Sequence, residues 1–287
     1  MTIELRHLRS FLVIAEEGNI TRAAARLHVG QPALSRTLRQ LEDHLGTRLV
    51  DRSTHHLELT AEGRTFSDKA AAALAAVDTA LDPRGVRSWP LRLGHPWAAL
   101  GDHTIPLLRR WDETYPGVPL HLLRIDDRTA GLTQGKVDAA VLRGAVNASG
   151  LRTHLLTSEE RVVVIPADSP LAELPRITLA DLAAHPIALN TVSGTTTTDL
   201  WPATARPAAT IEVTNTDEWL FAIAAGRAVG VSTTATPSHH THPSLSFRPL
   251  VDAPPVPVFL AWREGPGHPA LPDLLALAHG VVTGAQA

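Results

Sequence analysis

The tight turn His28-Val29-Gly30, set between two runs of helical apolar spacing, constrains the fold of this chain more than any other feature. Ahead of it, Leu5, Leu8, Phe11, Leu12 and Ala15 form one apolar stripe, which Gly18-Asn19 stops. Asn19 or Thr21 can cap a second helix running through Ala24 and Leu27. After the turn, Pro32 sits in the first turn of a third helix, where its missing N–H costs little. Leu34, Leu38, Leu41 and Leu45 are its buried stripe, and Gly46 ends it. Two helices joined by so short a glycine-containing turn read as a helix-turn-helix, with an ordinary helical hairpin as the alternative.

The next residues favour the first reading. Arg48 to Arg52 and His56 to Thr60 alternate like two short strands around Ser53-Thr54-His55, the pattern of a wing. With the leucines of the third helix buried, its opposite face carries Gln31, Ser35, Arg36, Arg39 and Gln40. These side chains suit base edges and phosphates: Arg pairs with guanine, Gln with adenine, Ser with either. A merely solvated polar face is the alternative. Between Ile20 and Arg52 six Arg stand against three acidic residues, a modest basic patch.

Residues 60–82 are alanine-rich and free of proline, and read as one long helix capped by Thr60. Phe66, Ala70, Ala73 or Leu74, Val77 and Leu81 make a seam suited to a second helix. A dimerisation helix and spacer is expected, against a helix packed on its own domain. The proline- and glycine-punctuated stretch Pro83 to Pro90 reads as a hinge.

The run from Asn19 to Glu42, followed by Leu45-Gly46, Arg48-Leu49, Arg52 and Leu59-Thr60-Ala61-Glu62-Gly63, resembles the N-terminal signature of LysR-type transcriptional regulators. The resemblance covers nearly all of residues 4–64, and the remainder follows the family pattern more loosely. It implies an N-terminal winged helix-turn-helix over residues 1–59 and a linker helix and hinge over 60–89. An α/β effector domain of the periplasmic-binding-protein type would follow over 90–287. Family DNA contacts carry over to Gln31, Pro32, Ser35 and Arg36, to Arg52 at the wing, and to Thr21 at the start of the second helix. The wing departs from the family pattern, with Ser53-Thr54-His55-His56 where a second basic residue is usual. Expected partners are double-stranded promoter DNA, further copies of the chain as a dimer of dimers, a small-molecule effector and RNA polymerase, with no membrane and no cofactor.

From Leu91 onward, strand-like runs alternate with helical ones, as in an α/β sheet. Two subdomains are expected, about 90–165 with 258–287 and about 166–257, with crossings near 163–166 and 257–260. Ligands bind such sheets beyond the carboxyl ends of their strands. The loops concerned carry Trp97, Ala98, Arg143, Thr191, Ser193, Thr195, Thr196, Thr216 and Thr233. Free N–H groups and hydroxyls around Ser193-Gly194-Thr195-Thr196 would suit a carboxylate or phosphate. A polar surface loop is the alternative there, and Trp97 can equally stack on an effector or pack. His239-His240-Thr241-His242 reads as a solvent loop rather than a metal site, because its imidazoles have no fixed spacing.

Composition limits the remaining options. The absence of cysteine excludes disulfides, thiol catalysis and thiol redox sensing. No Gly-x-Ser-x-Gly, P-loop, Gly-x-Gly-x-x-Gly or His-Glu-x-x-His motif points to an enzyme. The start MTIELRHLRS is too charged for a signal peptide, so a cytoplasmic protein is expected. The net charge of −3 conceals a division: residues 1–66 hold nine Arg against eight acidic residues, and the rest is mildly acidic. The reading is a regulator whose DNA binding changes with a small molecule; a constitutive regulator without an effector is the alternative.

Overall fold

The computed structural model describes residues 3–51, 57–81 and 89–284. Arg52, the wing tip and the hinge residues 82–88 lie outside the described residues. The chain divides into two compact units, Met1–Trp89 with Thr133–Lys136, and Pro90–Leu132 with Val137–Ala287.

The first unit begins with helices α1 (Leu5–Glu17), α2 (Ile20–Arg26) and α3 (Gln31–Leu45). Their apolar stripes meet in one core of Phe11, Ile14, Ala23, Ala24, Leu34, Leu38 and Leu41. Asn19 caps α2, its Oδ1 accepting the Thr21 and Arg22 amides at 2.9 and 3.1 Å. Gly46 closes α3 in the left-handed region at φ 68°, where an L side chain would be strained. The wing strands β1 (Val50–Asp51) and β2 (Glu58–Leu59) pair antiparallel.

Two contacts fix the wing and the long helix α4 (Ala61–Leu81) to this core. Glu42 on α3 accepts the Leu49 and Val50 amides on Oε1 at 3.0 and 3.3 Å. Thr60 Oγ1 accepts the Gly63 amide and donates to the Arg48 carbonyl. A Cβ on Gly63 would fall 2.0 Å from the Leu49 carbonyl oxygen, so α4 can approach the wing only with glycine there.

The expected seam of α4 is partly spent within the chain. Phe66 meets Phe11 edge to face at 5.2 Å, and Ala70 and Leu74 are buried. Arg9 on α1 reaches Asp78 at 3.7 Å. Leu81 remains 71% exposed. The seam is therefore not a continuous free face, because α1 takes its N-terminal half.

The second unit contains two five-stranded sheets. The first, in order β4-β3-β5-β12-β6, joins β3 (Leu91–His95), β4 (Leu120–Arg124), β5 (Ala139–Arg143), β6 (Leu151–Glu159) and β12 (Val256–Arg263). Helices α5 (Thr104–Thr114) and α9 (Leu271–Thr283) pack on it, with Trp111 fully buried between sheet and helices. The second sheet, in order β11-β7-β10-β8-β9, joins β7 (Arg161–Pro166), β8 (Ile187–Asn190), β9 (Thr210–Val213), β10 (Val229–Thr233) and β11 (Leu245–Pro249). The short helices α6 (Leu179–Leu182) and α8 (Ala235–His239) and the longer α7 (Thr216–Ala224) complete it.

This order corrects the expected subdomain division. Arg161–Pro166 belongs to the second sheet, paired antiparallel with β10 and β11. The chain therefore crosses at Glu160, between β6 and β7, and returns between Pro249 and Val256. The strand β6, not foreseen from the sequence, completes the first sheet beside β12.

Replacing Gly63 with alanine is expected to force the wing and α4 apart. Chemical unfolding followed by helicity should show a loss of about 1–3 kcal/mol in the first unit, the usual cost of overpacking.

Candidate functional site

The outer face of α3 presents Gln31, Pro32, Arg36, Arg39 and Gln40 to solvent, with Ser35 half-buried. Gln31 Nε2 donates to Ser35 Oγ at 3.0 Å, and Arg36 Nε leans toward the Pro32 carbonyl at 3.4 Å. The amide and guanidinium are thereby held side by side along one edge. Thr21 is exposed at the start of α2. Arg52, the expected wing contact, lies outside the described residues.

The basic patch is weaker than the arginine count suggests. Arg26 Nη1 contacts Glu16 at 2.8 Å and Glu17 at 3.1 Å, and Arg22 Nε lies 3.5 Å from Glu17. Bonds from Glu17 and Glu16 raise the Arg26 pKa further. Arg36, Arg39 and Arg48 stay exposed, with no carboxylate within ion-pair distance among the described residues.

In the second unit a small cleft opens beyond the carboxyl ends of the strands. Trp97, Thr195, Thr196 and Thr216, all expected from sequence, line it. Ala188, Asn190, Gly194, Trp219, Val231, Ser232 and Thr236 complete the lining. Trp219 owes its place to Gly230: a Cβ there would sit 2.1 Å from the indole. The Trp219 Nε1 then donates to the Ala188 carbonyl at 2.8 Å. Gly230 inside the apolar run Ala228 to Ser232 is the sequence signal for that close approach.

Five expected contacts are placed elsewhere. Arg143 has a 1% exposed side chain and holds Glu159 bidentately at 2.7 and 2.9 Å. Its guanidinium also lies 4.6 Å from the centre of the Trp97 ring and donates to the Ala99 carbonyl at 2.8 Å. Those bonds stabilise a turn in which Ala98 and Ala99 adopt φ of 50° and 36°. Ala98 is buried against Trp97 and Ala235. Thr233 is fully buried and donates to Glu159. Ser193 uses its carbonyl to accept the Trp97 Nε1 at 3.3 Å, and Thr191 accepts Arg128 at 3.0 Å. These five brace the two sheets rather than line the cleft. The cause is Glu159, at the end of a strand not foreseen, which draws Arg143 and Thr233 inward.

His95 ends β3 beside this brace. Burial, then the positive charges of Arg124 and Arg143 and the neighbouring His239, lower its pKa to about 4. Burial and His239 also lower that of His240, whose Nε2 is buried, so the expected solvent loop is partly turned inward. Among the described residues no group of three or more acidic or histidine side chains is arranged to hold a metal.

A winged helix-turn-helix joined to a two-sheet domain with a cleft between its sheets defines a one-component transcriptional regulator. Comparison with known proteins specifies the class. The family described as "Bacterial regulatory helix-turn-helix protein, lysR family" matches residues 5–64, and "LysR substrate binding domain" matches residues 84–282. The chain belongs to the LysR family of transcriptional regulators. It is 32% identical to the HTH-type transcriptional regulator CatR of Pseudomonas putida over 299 residues, 96% of this chain and 98% of that protein. It is 37% identical over 197 residues to YnfL of Escherichia coli, an uncharacterized HTH-type transcriptional regulator; the match spans 65% of each chain. The crystal structure of CbnR, a LysR family transcriptional regulator, matches with a TM-score of 0.62 at 22% identity, covering 99% of both chains. CbnR complexed with its target DNA matches at 0.61 and 23% identity, over 99% of this chain and all of that one. These two likenesses establish the fold. The relatives are regulators rather than enzymes.

The depressed His95 pKa makes stability depend on pH. Between about pH 6.5 and about pH 4 the unfolded chain binds the proton that the folded one refuses. Stability is therefore full above that window and falls as pH drops through it. Allowing for partial exposure, the expected loss is about 1–2 kcal/mol. Urea midpoints across this range should show it, and His95→Asn should flatten part of the slope, with His240 supplying the same sign.

Proposed function

We propose that this chain binds a partly palindromic promoter site in double-stranded DNA, and that a small molecule in the cleft of the second unit modulates that binding. The exposed edge of α3 carries the DNA half of the proposal: an amide and two arginines stand on one face with the leucine stripe buried behind them. Gln31, Pro32, Ser35, Arg36 and Arg39 contact the major groove, while Thr21 and Arg52 contact phosphate. A two-fold dimer implies two half-sites, and the working assembly is a homotetramer. The protein acts in the bacterial cytoplasm, with RNA polymerase as its further partner. Among the described residues no helix is long and apolar enough to cross a membrane.

The cleft carries the sensing half. It is walled by two indoles and floored by hydroxyls, and Trp97 connects it to the brace between the sheets. An effector acts only if it binds one arrangement of the sheets better than another. Trp97 touches both the cleft and the brace, so occupancy and sheet geometry are coupled there.

Arg36→Ala is expected to lower affinity for the operator at least about 10-fold, the value of one bidentate base contact. Affinity for random DNA should change far less, and the oligomer seen by gel filtration should be unchanged. Gel shifts with matched specific and scrambled duplexes decide it: undiminished sequence-specific binding by the variant overturns the assignment of α3.

A further inference from the structure

The turn between β3 and α5 is strained, and part of what holds it lies on the other sheet. Ala98 and Ala99 have φ of 50° and 36°, and Gly101 follows at 57°. In the left-handed region an L side chain crowds the following carbonyl oxygen, and glycine alone enters it freely. Among the described residues four besides glycine have positive φ, and two of them stand side by side here. Both alanines are buried.

Strain of this kind persists only where the surroundings over-determine the backbone. Some of that support is local. The Gly101 amide donates to the Ala98 carbonyl at 2.6 Å, and Thr104 Oγ1 accepts the Leu100 amide while donating to the Gly101 carbonyl. The remainder reaches the second sheet. Arg143 donates to the Ala99 carbonyl and is held by Glu159, which accepts from Thr233 on β10. Ala98 packs against Ala235 of α8, and a Cβ on Gly101 would lie 3.1 Å from the same methyl. Trp97, at the head of the turn, donates its indole N–H to the Ser193 carbonyl at 3.3 Å, just beyond β8. Parting the sheets breaks all three ties together and frees the turn to relax.

We propose that this turn is a spring set against closure of the two sheets. Its strain favours the parted arrangement, the ties to Ser193, Thr233 and Ala235 favour the closed one, and the balance fixes how readily the chain opens its cleft. The bias belongs to the chain without a ligand, so it stands apart from what the cleft binds. A small molecule acting through the cleft shifts a balance whose starting point the turn has set. Glycine adopts these angles freely and removes the bias, which makes it the probe.

The indole N–H groups read the balance in the full-length protein. Trp97 donates across the sheets, whereas Trp111 donates to Val118 on the first-sheet side and Trp219 to Ala188 on the second. Hydrogen exchange of nitrogen-15-labelled tryptophan, followed by NMR, separates them, with Trp97→Phe, Trp111→Phe and Trp219→Phe assigning the signals. In the unsubstituted chain Trp97 is expected to exchange faster than the other two, because parting of the sheets releases its bond alone. Ala99→Gly keeps the contact of Ala98 with Ala235 and should slow Trp97 at least about 5-fold relative to Trp111 and Trp219. Ala99→Val places a β-branched side chain where none fits and should speed Trp97 by a similar factor. If the valine variant does not fold, the glycine variant decides alone.

Equal exchange of the three indoles in the unsubstituted chain overturns the proposal. So does a Trp97 rate that Ala99→Gly leaves unchanged or raises. Slowing of all three indoles alike places the relief in the unit as a whole and overturns the link to closure. A folded valine variant whose Trp97 exchanges no faster overturns it as well.

Discussion

The second unit depends on one buried ion pair. Arg143 and Glu159 end two strands of the first sheet, and both take part in ties to the second. Glu159 accepts from Thr233 of the second sheet, while Arg143 supports Trp97, whose indole N–H reaches Ser193. A buried pair is weak evidence of net stabilisation, but breaking it by removing one partner typically costs about 3–5 kcal/mol. The pair therefore acts as a positional constraint. It fixes the left-handed turn at Ala98 and Ala99, and with it the wall of the cleft.

The first unit has a comparable economy. Glu42 lies on the helix whose other face reads outward, and it holds the amides that open the wing. Gly63 lets the long helix lie directly on the same segment. The recognition helix, the wing and α4 are thus joined over a few residues around Leu49. That physical reason underlies the run Leu59-Thr60-Ala61-Glu62-Gly63: Thr60 bonds both ends of the junction, and glycine provides the clearance.

Legibility in the sequence followed the strength of local signals. The three helices were readable because leucine stripes, Asn19, Pro32 and Gly46 each act within a few residues. The strand β6 was not, because Arg152, Thr153, His154, Thr157 and Ser158 interrupt any apolar alternation along a strand at the edge of its sheet. Missing it moved the crossing between the sheets and hid Glu159. Without Glu159, Arg143 and Thr233 looked available to a ligand. Thr195, Thr196, Thr216 and Trp97 were found because the rule about strand ends depends on topology alone. Trp219 needed a three-dimensional contact, because its place depends on the bare face of Gly230.

The clasp of Glu16 and Glu17 on Arg22 and Arg26 bears on how this regulator searches a genome. Affinity for arbitrary sequence grows with the number of phosphates neutralised, and each one also lengthens the stay on the wrong site. Two arginines next to the reading head are occupied by neighbouring carboxylates at 2.8 to 3.5 Å. A lighter grip on unrelated DNA, with faster dissociation from it, is the expected consequence. A larger share of the discrimination then falls to the few side chains on the edge of α3. For a protein present in few copies among millions of competing sites, a short dwell on each wrong one shortens the time to the right one.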